Sequence, residues 1–134
     1  MGLDAARSAK INEYMNARLQ AFQGTSEQAR NDGVHGVLSC FTKDNPTIDI
    51  KAPTIEQVEG LEAIEVYLSN PPAIPITFVQ DSNTQPILSG DSATVNFDMF
   101  GGIGIFGTTI ELQASFEFVS GSVEVQKVIV DYRS

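Results

Sequence analysis

The sequence predicts a single α+β domain, with helices in its first half and an antiparallel sheet in its second. Apolar residues recur at helical spacing before about residue 70 and alternate with period two after it. A length of 134 residues suits one domain, here residues 1–134. No internal repeat, low-complexity tract or linker-like shift in composition divides the chain. Helices followed by strands that neighbour one another in sequence favour α+β over a parallel α/β sheet.

The composition indicates a chain that can bury a core and argues against two classes of partner. Hydrophobic residues make up 42% of the sequence and charged residues 19%, so disorder is not expected. Eight basic against seventeen acidic residues give a net charge of −9, and no basic stripe offsets it. We therefore expect no binding to nucleic acid or membranes. The first residues lack the apolar segment of a signal peptide, which favours a cytoplasmic location.

Three helices are predicted in the first half. The first ends at Gly24, and its apolar stripe consists of Ile11, Tyr14, Met15, Leu19 and Phe22. The second begins after a hydroxyl cap at Thr25 or Ser26. Because Gly33 and Gly36 weaken helix propensity, we expect the second helix to be bent or broken. A third helix is expected from about Gly60 to Ser69, and the proline-rich segment 70–75 is expected to be a loop.

The predicted strands begin with Thr47–Lys51, which Pro53 closes. Short strands at Ile76–Val79 and Gln85–Leu88 precede a longer one around residues 93–99. A glycine-rich corner at 101–104 then leads into the longest strand. The residues of that strand that face one way are Ile110, Leu112, Ala114, Phe116 and Phe118, and those that face the other way are Glu111, Gln113, Ser115 and Glu117. A turn at 120–122 leads into a last strand over 123–131.

Two segments resemble a known family. Residues 58–68, VEGLEAIEVYL, resemble the G-x-x-A-I-x-x-[YF]-[LF] helix of nuclear-transport-factor-2-like (NTF2-like, or SnoaL-like) proteins, and residues 116–123, FEFVSGSV, resemble that family's closing hairpin. The resemblance covers about Ile11 to Asp131. It implies a cone, in which a curved antiparallel sheet wraps against N-terminal helices around a pocket. The family includes ketosteroid isomerases, dehydratases, polyketide cyclases and interaction modules, and many members are homodimers.

The resemblance also implies candidate catalytic residues. Isomerases of the family use a carboxylate base in the early strand, where Asp49 lies, and an oxyanion-hole tyrosine, for which Tyr14 is the match. The place of the family's neutral acid falls on Ala114, which argues against ketosteroid-type isomerisation. His35, the single histidine, flanks the second helix and is a candidate general base. The plainer interpretations are that Asp49 is a solvated carboxylate, that Tyr14 is a core residue and that His35 is half-exposed on its helix.

Three hypotheses on function stay open. The first is a pocket that binds a hydrophobic small molecule, and its candidate ligand-binding residues are Phe22, Phe41, Tyr67, Phe97, Met99, Phe116 and Asp131. The second is an isomerase, cyclase or dehydratase that uses Asp49 or His35 as base. The third is a homodimeric interaction module that pairs through the strand face bearing Glu111 and Glu117. With one histidine and one cysteine, a metal site is not expected, and no cofactor is implied. Cys40 is expected to be a buried, inert thiol.

Overall fold

The computed structural model describes residues 2–52, 55–70, 76–80, 86–103 and 106–133. The elements in chain order are α1 (Gly2–Gln23), α2 (Glu27–Leu38), β1 (Thr47–Ile50), β2 (Glu56–Glu59), α3 (Leu61–Ser69), β3 (Ile76–Gln80), β4 (Ile87–Ser89), β5 (Ser92–Ile103), β6 (Phe106–Phe118) and β7 (Val125–Tyr132). Helices pack on one mostly antiparallel sheet, which confirms the predicted α+β class. None of these described helices is long and apolar enough to cross a membrane.

Within the described residues, the sheet has seven strands in the order β2-β1-β7-β6-β5-β3, and β4 pairs with β5. The β1–β7 pair is parallel, with Ile48 beside Val128, while the other pairs are antiparallel. The predicted alternation is correct, because the inward residues are buried in both long strands. They are Ala93, Val95, Phe97 and Met99 of β5 and Leu112, Ala114, Phe116 and Phe118 of β6. These side chains form the inner face of the sheet.

The second helix corrects one expectation. α2 runs without a break from Glu27 to Leu38, and the hydroxyl oxygen of Ser26 caps it by accepting the backbone N–H of Ala29 at 3.0 Å. A Cβ atom at Gly33 would collide with the backbone nitrogen of Ala21 in α1. Gly33 therefore lets the two helices approach closely, and that packing outweighs the weak helix propensity of glycine.

Two strands also differ from the prediction. β2 was not expected, because a four-residue strand in which only Val58 is buried carries almost no apolar signal. Its pairing with β1, which places Val58 beside Ile48, holds it in the sheet. β5 continues through the first part of the predicted glycine corner as far as Ile103. Position 104 of that corner, the predicted loop at 71–75, Pro53 and Gln85 lie outside the described residues.

A buried arginine fastens α1 to the turns of the sheet. The Arg7 guanidinium donates to the carbonyl oxygen of Ser122 at 2.8 Å, to that of Gly90 at 2.9 Å and to the carboxylate of Asp91 at 2.9 Å. It also lies 4.7 Å from the ring centre of Phe118. The side chain is only 1% exposed, so these bonds form within the protein. α1 begins at Gly2, well before Ile11, the first residue of its predicted stripe, and Arg7 attaches this first part of the helix to the sheet.

Candidate functional site

A polar string of three side chains, Tyr14, Arg18 and Tyr67, crosses the space between α1 and α3. Nη1 of Arg18 donates to the hydroxyl oxygen of Tyr14 at 3.3 Å, and Nη2 donates to that of Tyr67 at 3.3 Å. Arg18 follows Tyr14 by one helical turn, so both lie on the same face of α1. Arg18 is 7% exposed and Tyr14 is 2% exposed, whereas Tyr67 is half-buried. The helices thus hold a cation inside the domain.

Aromatic rings surround this string. The guanidinium carbon of Arg18 lies 5.1 Å from the ring centre of Phe22 and 5.4 Å from that of Tyr67, which is cation–π distance. The ring of Tyr14 packs edge-to-face against Phe41 at 5.8 Å and against Phe116 at 5.2 Å between ring centres. The string is therefore a polar element with an aromatic lining, supplied by α1, the segment after α2 and the inner face of β6.

The protonation states in the string follow from burial. Burial raises the pKa of Tyr14, and the neighbouring Arg18 opposes that effect only in part. Burial by itself lowers the pKa of Arg18, but Tyr14 and Tyr67 outweigh it, so the pKa lies above its usual value. At neutral pH Tyr14 is a neutral phenol and Arg18 is a cation. The string can therefore donate hydrogen bonds to an oxygen atom placed beside it.

The structure brings most of the predicted ligand-binding residues to this region. Phe22, Tyr67, Phe41 and Phe116 touch Arg18 or Tyr14, as described above. The two remaining apolar candidates, Phe97 and Met99, are buried on the inner face of β5, where Phe97 pairs with Leu112 of β6. The predicted apolar stripe of α1 and the inward faces of the long strands therefore meet in one core.

Three predicted polar residues lie elsewhere. Asp49 sits between the buried Ile48 and Ile50, so its half-buried side chain is on the outer face of the sheet. Asp131 is exposed, next to the buried Val130 in β7, and His35 is exposed in the last turn of α2. The structure does not bring these three to the Tyr14–Arg18–Tyr67 string, and their chemical roles stay predictions.

Arg18 was missed by the sequence reasoning, although a signal for it exists. It lies four residues after Tyr14 and four before Phe22, which places all three on one helix face. Because a charged residue is ordinarily assigned to solvent, an apolar stripe does not include Arg18. Arg7 and Arg18 are the buried charged side chains in the described part of the chain. Across that same part, no group of three or more His, Cys, Asp or Glu residues could hold a metal ion.

Solved structures share this architecture over nearly the whole chain. An NTF2-like protein from Anabaena variabilis is similar with a TM-score of 0.65 and 10% identity, over 96% of this chain and 90% of its own. The protein has the NTF2-like fold. Two further NTF2-fold structures are a ketosteroid-isomerase-like protein from Catenulispora acidiphila in complex with trimethylamine and an LEH-like epoxide hydrolase from M. tuberculosis.

The first of these two gives a TM-score of 0.64 at 17% identity, over 90% of this chain and 85% of its own. The mycobacterial epoxide hydrolase gives a TM-score of 0.68 at 11% identity, over 96% of this chain and 84% of its own. At such identities the likeness establishes the NTF2-like fold alone. No protein-family model matches the sequence, and no curated protein matches it significantly.

Proposed function

We propose that this NTF2-like protein binds a hydrophobic small molecule in its interior, between α1, α3 and the inner face of the sheet. The observation that supports the proposal is the Tyr14–Arg18–Tyr67 string among aromatic rings. Small-molecule sites are mostly apolar and aromatic, with a few placed polar groups that fix orientation. The aromatic residues around Arg18 supply the apolar lining, and the Tyr14–Arg18–Tyr67 string supplies the polar groups.

The structural relatives are consistent with a ligand. The Catenulispora protein is in complex with trimethylamine, and the mycobacterial protein is an epoxide hydrolase. Small molecules therefore occur as ligands within this fold.

Binding is preferred over turnover because the predicted bases lie apart from the string. An isomerase, cyclase or dehydratase needs a base within hydrogen-bond reach of the substrate. Asp49 faces the outer side of the sheet, and His35 is exposed on α2. Tyr14, a buried neutral phenol, is the one catalytic candidate that belongs to the proposed site. Catalysis with Tyr14 as proton donor is the alternative.

A neutral fluorescent probe tests the binding proposal. N-phenyl-1-naphthylamine should bind saturably with one site per chain. Phe22→Ala removes a half-buried ring that stacks on Arg18 and should weaken binding about tenfold, which corresponds to about 1.4 kcal/mol. The matched control is Val66→Ala, because Val66 lies on α3 but is 59% exposed, and this variant should bind as the parent does. Unsaturable binding, or equal binding by both variants, would contradict an interior site.

We also propose that the protein is a homodimer that pairs through the outer face of the sheet. The middle of that face carries uncharged polar side chains, and Nε2 of Gln113 donates to Oδ1 of Asn96 at 3.2 Å. Thr94 and Ser115 pair beside them, and all four are half-buried. Glu117 is exposed near the end of β6, and Glu111 is exposed near its middle, where Arg133 pairs with both Glu111 and Asp98. A second copy would meet an uncharged polar patch with charged side chains beside it, and charged residues are usually depleted from the core of an interface.

A further inference from the structure

The short strand β2 forms one edge of the sheet. In the described part of the chain it pairs with β1 on one side, and no strand pairs with its other side. Independently of the interior site, we propose that this free edge binds an extended, basic segment of a partner protein, which joins the sheet as a further strand. The backbone of β2 supplies the hydrogen bonds, and its charges select the partner.

The hydrogen bonds toward β1 show which backbone groups of β2 face outward. The N–H of Gly60, directly after β2, donates at 2.7 Å to the carbonyl oxygen of Pro46, directly before β1. Successive residues of a strand point their N–H and C=O groups to opposite edges. Glu59 and Gln57 therefore turn these groups away from β1, and among the described residues no backbone group bonds to them. Both residues are exposed, so a partner strand can reach them.

Charges of one sign surround this edge. Residues 55–70 include glutamates at every third position and no lysine or arginine. The glutamates are Glu56, Glu59, Glu62 and Glu65, and all of them are exposed. Like charges opposite one another on paired strands are destabilising, whereas opposite charges are favourable. The edge therefore repels a second copy of itself, as edge charges commonly do, and attracts a basic strand.

The alternation of side chains in a strand defines the partner further. Gln57 and Glu59 lie on one side of β2, because the buried Val58 between them points to the other side. A partner with lysine or arginine at every second position would place its charges on the side of Glu59. The residues between them would lie on the side of Val58, which belongs to the core. The segment that fits best alternates basic with β-branched residues.

Three seven-residue peptides with a neutral dye test the proposal by fluorescence anisotropy. The basic peptide KVKTKVK should bind saturably to the protein at neutral pH. The acidic peptide EVETEVE should bind about tenfold more weakly, because the glutamates of the edge repel it. The third peptide is KVKTKVK methylated at its backbone nitrogens. It keeps every lysine but cannot donate to a strand, so it should also bind about tenfold more weakly.

Variants of the protein locate the site. Gln57→Pro removes an outward N–H and leaves the bonds to β1 in place, because proline is tolerated on an edge strand where the N–H faces solvent. It should weaken binding of KVKTKVK about tenfold. Gln57→Thr, which changes the side chain but keeps the N–H, is its control and should bind as the parent does. Far-UV circular dichroism checks that both variants are folded.

A second pair of variants tests the charge. Glu59→Gln should weaken binding of KVKTKVK about threefold, because it removes one glutamate beside the added strand. Glu27→Gln makes the same change at an exposed position of α2 and should leave binding unchanged. Equal effects of the two variants would mean that only the net charge of the protein attracts the peptide, which overturns the proposal.

The remaining outcomes are also decisive. Failure of KVKTKVK to bind, or equal binding of the acidic or the methylated peptide, overturns the proposal. A folded Gln57→Pro variant that binds as the parent does overturns it as well. If that variant does not fold, the methylated peptide still decides with the parent protein. If Gln57→Pro instead lowers the protein's own self-association in light scattering, the occupant is a second copy and the basic partner is refuted.

Discussion

At the scale of single residues, two buried arginines on one face of α1 have different surroundings. Arg7 donates to backbone carbonyls and to Asp91, which are strong acceptors fixed by the turns of the sheet. Arg18 donates to two phenol oxygens at the longer distance of 3.3 Å. Carbonyl and carboxylate oxygens accept from Arg7, whereas the hydroxyl groups of Tyr14 and Tyr67 accept from Arg18.

Arg7→Met tests the structural role of Arg7. The variant leaves carbonyl groups of Ser122 and Gly90 without their donor, so we expect a loss of about 3 kcal/mol in the free energy of unfolding. Urea denaturation measures it. The control is Lys10→Met on the same helix, because Lys10 forms a surface ion pair with the half-exposed Glu13, and its loss should change stability by less than about 0.5 kcal/mol. A loss no larger than the control's would refute the role given to Arg7.

Cys40 should be slow to react in the folded protein. Burial raises the pKa of its thiol to about 11, and its sulfur contacts the carbonyl oxygen of Gly36 at 3.3 Å. Since the thiolate is the reactive form, raising the pKa from 9.0 to about 11 lowers its fraction about a hundredfold at pH 8. Iodoacetamide labelling followed by mass spectrometry should show rapid reaction only after unfolding in urea. Equal rates in both states would contradict this.

At the scale of elements, the spacing of apolar residues predicted those helices and strands whose buried face is set by residues near one another in sequence. The stripe of α1, α3 and the alternation of β5 and β6 follow from spacing of 3.6 or two residues, and each is present. The parallel pairing of β1 with β7 was not predictable in this way, because partners such as Ile48 and Val128 are distant in sequence. β2 was not predictable because only Val58 of its four residues is buried. Arg18 was missed for a related reason, since only the fold brings Tyr67 to its charge.

Gly33→Ala tests the contact between α1 and α2. Propensity alone predicts that alanine stabilises a helix by about 1 kcal/mol relative to glycine. The added Cβ would collide with the backbone of Ala21 and lie 2.8 Å from the carbonyl oxygen of Ala17, so we expect a net loss of about 2 kcal/mol. Thermal denaturation gives the sign. Gly2→Ala, where a Cβ meets nothing within 4 Å, should be neutral or slightly stabilising. Stabilisation by Gly33→Ala would refute the close contact.

At the scale of the whole molecule, the two faces of the sheet have different proposed roles. The inner face packs against the helices and lines the proposed site, while the outer face is the proposed dimer surface.

Ser115→Lys tests the dimer surface. The variant would place like charges near one another in a symmetric interface, and we expect it to yield monomers in light scattering coupled to size exclusion. Glu62→Lys, on the exposed side of α3, is the control and should stay dimeric. A monomeric parent protein would contradict the dimer.

The strand order has a consequence for how the chain acquires its structure during synthesis. β7 is the last of the seven strands to leave the ribosome, yet it lies between β1 and β6 in the middle of the sheet. Until it arrives, the facing edges of β1 and β6 have no partner, and apolar residues such as Ile48 and Phe116 lack their neighbours. Open strand edges with apolar side chains are prone to aggregation. The nascent chain should therefore be most prone to aggregation until β7 has left the ribosome and pairs with both edges.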